Sequence, residues 1–370
     1  MKWKRITAAA VAASTWFPVA AVAADPPQLG RIMKRAEQLD SLHISEPEEL
    51  RLGEAVSEKV RVRYGVVQDA AVHRYVSLVG LALARASSRP NLPWTFIVLD
   101  TDGVNAFAAP GGYIHVTRGA LGLVANEAEL AGVLAHEIIH VANKHAVDAI
   151  QKGKAIEITA SESNLQNKAV FSRVVDQAAD IVMAGFGRAE EIESDTHGVR
   201  LVNKVGYAPG GLAAFLARLS ARNKGATAKQ GLFASHPEMK ERLDRLGRQI
   251  ASEKMDGIAT LEDRYRQVIS YRPVAQSEIA VVPEGSAGLA GSGAKAEEKK
   301  PEEPKKKGFG LANLLKPTGT EKKSAEVTGS GASRGVDTER NARGGPVPTR
   351  VAVNVTPADV AAFKREGKLR

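Results

Sequence analysis

Asn126-Glu127-Ala128-Glu129-Leu130-Ala131-Gly132-Val133-Leu134-Ala135-His136-Glu137-Ile138-Ile139-His140-Val141 is the stretch on which the reading of this chain turns. Asn126 is a capping residue type, an acid stands three positions on at Glu129, and an apolar run follows, so a helix is predicted from there to about His145. Residues four apart lie one above the other on a helix. His136 and His140 therefore present their imidazoles from one face, where both can bind a single metal ion. Two neutral nitrogens suit Zn²⁺, which also accepts a carboxylate and leaves one position for water. Glu137 flanks that pocket without being a ligand, as the general base that takes a proton from the water.

The chain has 370 residues and no cysteine, which excludes disulfides, a thiol nucleophile and thiolate ligands. A third ligand must then be His, Asp or Glu. The metzincin spacing asks for a glycine at position 143 and a histidine at 146, and Asn143 and Ala146 exclude it. His145, on a continuous helix, falls half a revolution from His136 and reads as a polar surface residue or an outer contact. Carboxylates are supplied by Glu190-Glu191-Ile192-Glu193-Ser194-Asp195, at the start of a helix predicted from Arg188 to about Val205. Glu191 and Asp195 share a face at i and i+4, so one can bind metal while the other orients a ligand histidine. Spacing alone does not separate Glu190, Glu191 and Glu193.

Upstream of the motif, Ser45 with Glu48 forms a capping box, Pro47 suits a first helical turn, and Leu52, Val56 and Val60 recur at helical spacing. A second helix is predicted over 70–86. Strands are predicted at 94–99, 104–109 and 113–117, separated by a turn at 100–103 and by Pro110-Gly111-Gly112. Links this short predict a small antiparallel sheet beside the motif helix. Downstream, residues 146–187 read as helical with a looser middle near 160–167, and 238–254 as a charged helix. The fold class expected is α+β and mainly helical.

Lysine and arginine number 51 against 42 acids, a net charge of +9. The excess lies at the two ends: +3 before residue 6, and 17 bases against 10 acids over 286–370. The middle is close to neutral, so the basic balance does not point to a nucleic-acid partner. Residues 1–24 read as a secretory leader with a basic start, an apolar run and Ala21-Val22-Ala23-Ala24 before Asp25. No cysteine follows for a lipid anchor, and no later run is apolar enough to span a membrane. The organisation expected is a leader over 1–24, a folded domain over 25–275, a charged flexible linker over 276–345 and a short strand–helix element over 346–370. In that element Val351, Val353 and Val355 alternate, and Thr356-Pro357-Ala358-Asp359 caps a helix through Phe363.

Asn105-Ala106-Phe107-Ala108-Ala109-Pro110-Gly111-Gly112-Tyr113-Ile114, the His136–His140 motif, Glu191-x-Glu193-x-Asp195, and Ser235-His236-Pro237 with Arg242 together resemble the HtpX/Oma/CAAX-prenyl-protease family of zinc metallopeptidases, nearest its soluble periplasmic BepA-like members. The resemblance runs over about 45–250. It implies a zincin-like metallopeptidase fold of gluzincin type, one zinc per chain, Glu191 as third ligand, and Asp195 and Arg242 supporting the ligands. It also implies that His236 lies near the metal, stabilising the oxyanion or plugging the resting site. Asn105, Ala106 and Phe107 are expected on a strand that rims the site and pairs with extended polypeptide substrates. The activity expected is zinc-dependent peptide-bond hydrolysis through a metal-activated water, in the periplasm or outside the cell, in envelope protein quality control. An alternative is a chaperone or adaptor with a latent site acting through the C-terminal tail, which could dock an envelope partner or the chain itself. The family's membrane spans and BepA-type helical repeats have no counterpart here, so neither prenylated substrates nor repeat-borne partners are implied.

Overall fold

A computed structural model describes residues 44–157, 167–222, 239–275 and 347–370. The leader, the looser middle of 146–187, His236 and the linker fall outside them. The first helix, α1 (Glu46–Tyr64), opens as its sequence predicts: the Ser45 N–H donates to Glu48 at 2.9 Å and Pro47 occupies the first turn. Helix α2 (Ala70–Ala84) is capped by Asp69, whose side chain accepts from the Ala71 and Val72 amides.

Strands β1 (Thr95–Leu99), β2 (Ala106–Ala109) and β3 (Tyr113–Thr117) form one sheet in the order β1-β3-β2. The expected antiparallel sheet is mixed instead: β2 and β3 pair antiparallel, but β1 and β3 run parallel, with Thr95 opposite Tyr113 and Leu99 opposite Thr117. Each short link does reverse the chain, as predicted. What the links do not dictate is order, and β3 inserts between the two strands that precede it. Arg118 pins the 100–105 link, donating from Nε to Asp102 at 2.8 Å. At the other turn Gly111 and Gly112 have φ of 71° and 97°, a region glycine enters without strain. There α1 comes so close that a Cβ at Gly53 would sit 1.9 Å from the Pro110 carbonyl oxygen.

Alternation along β1 sends Phe96 and Val98 to one face of the sheet, Ile97 and Leu99 to the other. The first face packs with α2, α4 (Glu127–Ala142), α7 (Arg188–Val205) and α8 (Gly211–Arg222), reached through α3 (Arg118–Leu123). The second packs with α1, α5 (His145–Glu157) and α6 (Lys168–Ala184). Helices α9 (Met239–Ser252) and α10 (Glu262–Val268) close the first layer. No helix among the described residues is long and apolar enough to cross a membrane.

The C-terminal segment returns to this body. Residues 347–355 are extended, and α11 (Pro357–Glu366) carries the predicted capping box, Thr356 with Asp359. The Val347 carbonyl accepts from the Val66 amide at 2.7 Å, Arg74 reaches the Asn354 carbonyl at 2.6 Å and Asp359 at 2.9 Å, and Val360 and Phe363 are buried. The segment thus lies along residues 66–74 and α2, and not on the proposed rim strand β2.

Candidate metal centre

Every side chain of α4 from Glu127 to Val141 is buried, as suits a helix packed between neighbours on all sides. Asn126 caps it through its side-chain oxygen, which accepts from the Glu129 amide at 3.0 Å. The i, i+4 geometry sets the His136 and His140 rings 4.7 Å apart, with their Nε2 atoms at 3.1 Å. Helix α7 crosses directly behind them. Gly198 permits that approach, since a Cβ there would lie 3.3 Å from the His136 amide nitrogen.

One turn into α7, Glu191 reaches both imidazoles, at 3.5 Å from His136 Nε2 and 3.3 Å from His140 Nε2. Glu191 is 1% exposed, Glu190 is partly exposed and Glu193 is exposed, so burial separates the three acids that spacing could not. The two imidazole nitrogens thus face each other at 3.1 Å, and each faces a different oxygen of the one Glu191 carboxylate at 3.3–3.5 Å. A tetrahedral ion with bonds of about 2.0–2.2 Å sets its ligand atoms about 3.3–3.6 Å apart. The donor set and its spacing fit zinc.

Asp195, one turn beyond Glu191, places a carboxylate oxygen 2.9 Å from His136 Nδ1. Arg242 on α9 grips the same carboxylate with Nε and a terminal nitrogen, both at 2.7 Å, and lies 3.1 Å from Glu191 Oε2. Burial raises the Asp195 pKa, but the hydrogen bonds from Arg242 and His136 outweigh it and hold the group down to about 2. Burial likewise lowers His136, and the Glu191 and Asp195 carboxylates overcome it, lifting the ring to about 9. The field that favours a proton there equally favours a metal cation, and the two compete. Arg242, 2% exposed, is held charged against burial by Asp195, Glu191 and Glu137. Glu137 itself is 1% exposed.

His145, expected as a polar surface residue or an outer contact, is buried beside His140. Helix α4 ends at Ala142, and Lys144 takes a left-handed φ of 60°. That break swings the His145 ring back, with Nδ1 2.8 Å from His140 Nδ1 and Nε2 3.3 Å from Glu193. Phe186 stacks on His140 at 4.3 Å. Sequence reasoning missed Phe186 altogether; it precedes a helix by two residues and carries no motif.

The rim residues are buried. Phe107 stacks on Tyr64 within the core, Ala106 and Ala108 face the other layer, and the Asn105 side chain accepts from the Ala106 amide at 2.9 Å. Main chain and side chain alike are covered at 0–6% exposure, so the expected rim does not form an open surface.

The profile of peptidase family M48 matches residues 70–250. The chain is 30% identical over 181 residues to the metalloprotease YcaL of Escherichia coli (strain K12), covering 48% of this chain and 70% of that protein. It is 28% identical over 204 residues to the mitochondrial metalloendopeptidase OMA1 of Schizosaccharomyces pombe, covering 54% and 60%. It is 23% identical over 206 residues to the beta-barrel assembly-enhancing protease of Escherichia coli (strain K12), covering 53% of this chain and 42% of that longer protein.

Proposed function

The chain belongs to peptidase family M48, and on that premise we propose that it is a zinc-dependent endopeptidase of the periplasm or cell exterior, acting on unfolded or misassembled envelope polypeptides. One observation carries the chemistry: the Nε2 atoms of His136 and His140 lie 3.1 Å apart and each is within 3.5 Å of one oxygen of the Glu191 carboxylate, all buried, as is Glu137, the residue next to His136. The location rests on the leader-like first 24 residues and on the relatives named for beta-barrel assembly.

Zinc held by His136, His140 and Glu191 supplies Lewis acidity and makes water a nucleophile near neutral pH. Glu137 accepts the proton of the attacking water and returns it to the leaving amine. Asp195, clamped by Arg242, fixes the His136 tautomer with Nδ1–H engaged and Nε2 turned to the site. Strand β2 is an edge of the sheet, and it would have to be uncovered before its main chain could hold an extended substrate. His236 is our candidate for the oxyanion partner.

Glu137→Gln tests the reading. Zinc content should stay at one per chain while hydrolysis of casein falls about 10³-fold. Undiminished turnover in that variant overturns the enzymatic assignment. The adaptor reading predicts instead that Glu137→Gln preserves function in the cell. Burial of Val360 and Phe363 against the chain's own body counts against it, because the apolar face of the tail is already engaged.

A further inference from the structure

The two ligand histidines are supported differently. His136 leans on a carboxylate, Asp195, which a buried arginine holds. His140 leans on another histidine: its Nδ1 lies 2.8 Å from His145 Nδ1, at a distance where one nitrogen must donate and the other accept. For His140 to offer a lone pair from Nε2, its proton must sit on Nδ1, so His140 is the donor. His145 is then the acceptor, its own proton is on Nε2, and that nitrogen points at Glu193 Oε2, 3.3 Å away. Glu193 is fixed in turn by the Asn143 side-chain amide at 2.7 Å. The chain of hydrogen bonds satisfies every member in one direction only.

We propose that His145, oriented by Glu193, is a positioning residue that locks His140 in the tautomer and rotation needed to hold the metal. The inference rests on the zinc reading of the site. The backbone supports it: Lys144, at φ 60°, adopts a conformation that non-glycine residues seldom take, and the consequence is that the His145 ring turns back toward the site. Phe186, stacked on His140 at 4.3 Å and 5.9 Å from His145, packs against a face of the His140 ring and adds to its restraint. His145 is 6% exposed and His140 fully buried, so water does not readily replace the bond between the two rings.

The test measures metal binding on the full chain, freed of metal and titrated with zinc against a chelating indicator, then with cobalt to record its visible absorption. His145→Leu, which keeps bulk and loses both bonds, should bind zinc 10- to 100-fold more weakly, about the effect of losing an outer partner of a ligand histidine. His145→Asn, whose carbonyl falls where Nδ1 was, should recover part of that loss. His145→Gln, whose amide falls where Nε2 was, should not. Equal zinc affinity in His145→Leu and the unaltered chain overturns the proposal, as does recovery by Gln without recovery by Asn. Should His145→Leu fail to fold, Glu193→Ala at its exposed position carries the test: a shifted cobalt spectrum is expected, and an unchanged one overturns the relay. Failure of the unaltered chain to bind zinc is a different result, and it removes the metallopeptidase reading itself.

Discussion

At the first turn of α4 the Glu127 carboxylate, fully buried, receives the hydroxyls of Tyr75 and Tyr207 at 2.6 Å each and the guanidinium of Arg264. Nine residues on, about 14 Å along the same helix, His136, His140 and Glu191 crowd their acceptor atoms together. Both clusters are buried and charged, and both join α4 to distant parts of the chain. Around Glu127 donors match acceptors, and burial with the neighbouring carboxylate pushes the Tyr75 and Tyr207 hydroxyls far above the usual phenol range, so neither ionises. The histidine end gathers two ring nitrogens and a carboxylate that together attract a cation, whether a proton on His136 or a metal ion. Buried charge therefore does not distinguish a site from a brace; an excess of convergent acceptors does.

The comparison breaks most directly at Glu127. Glu127→Gln removes the only charge facing Arg264 within that cluster and turns an amide N–H₂ toward three donors. Breaking one side of a buried pair costs about 3–5 kcal/mol, and that loss should appear in urea unfolding of the zinc-loaded chain. Hydrolysis per folded molecule should remain within about twofold, since the Glu127 contacts run to Tyr75, Tyr207 and Arg264 and not to His136, His140 or Glu191. A Glu127→Gln protein that folds, keeps its zinc and loses turnover would make the two ends one functional unit.

Phe363 tests how far the brace extends. Its ring lies under the Arg264 guanidinium at 3.8 Å and meets Tyr75 edge-on, and its carbonyl accepts from Arg264 at 2.8 Å. Phe363→Ala should cost about 3 kcal/mol by emptying a buried site, again with turnover per folded molecule preserved. Retained stability would mean that the tail merely rests on the body.

The motif half of this contrast was legible in sequence because a helix converts spacing into direction: His136 and His140 must share a face wherever the helix lies. Glu191 and Asp195 were half legible, since period fixed their mutual face but not which acid of the run turns inward. The brace was not legible. Tyr75, Tyr207 and Arg264 carry no periodic signature as Glu127 partners, and only packing brings positions 52 to 137 residues away onto one carboxylate. Strand order was not legible for the same reason, and His145 was left between a surface residue and an outer contact because Lys144 gives no hint of a left-handed turn.

Acid sharpens the comparison from outside both clusters. His115 on β3, fully buried beside the Ser57 hydroxyl at 2.9 Å, is pushed down to about 3 by burial, with the Arg61 charge adding and a backbone contact at Phe107 opposing. An unfolded chain takes up this proton as pH falls through about 6.5, whereas the folded chain resists until about 3. Stability is therefore whole above about 6.5 and erodes as pH drops toward 3. Between pH 7 and 5 the loss from this group is about 2 kcal/mol. His115→Gln should flatten that part of the pH dependence of urea unfolding; identical slopes would show that His115 does not carry it.

The smallest effect asks the sharpest question of the tail. Thr356 and Asp359 close a capping box at the start of α11, Thr356 N–H to Asp359 at 2.7 Å and Asp359 N–H to Thr356 Oγ1 at 3.2 Å, on the exposed side of the element. Thr356→Ala removes one cap acceptor and costs the helix about 1 kcal/mol. Where that loss is felt depends on coupling. A terminal helix that folds independently of α2 and Arg264 would fray alone, leaving the midpoint of global unfolding where it was. A helix that folds with the body, as burial of Val360 and Phe363 in the main core requires, transmits the loss in full. Global urea unfolding should then shift by about 1 kcal/mol, in step with amide exchange at Phe363 and Tyr75; a change confined to exchange within α11 would detach the tail from the brace at the far end of α4.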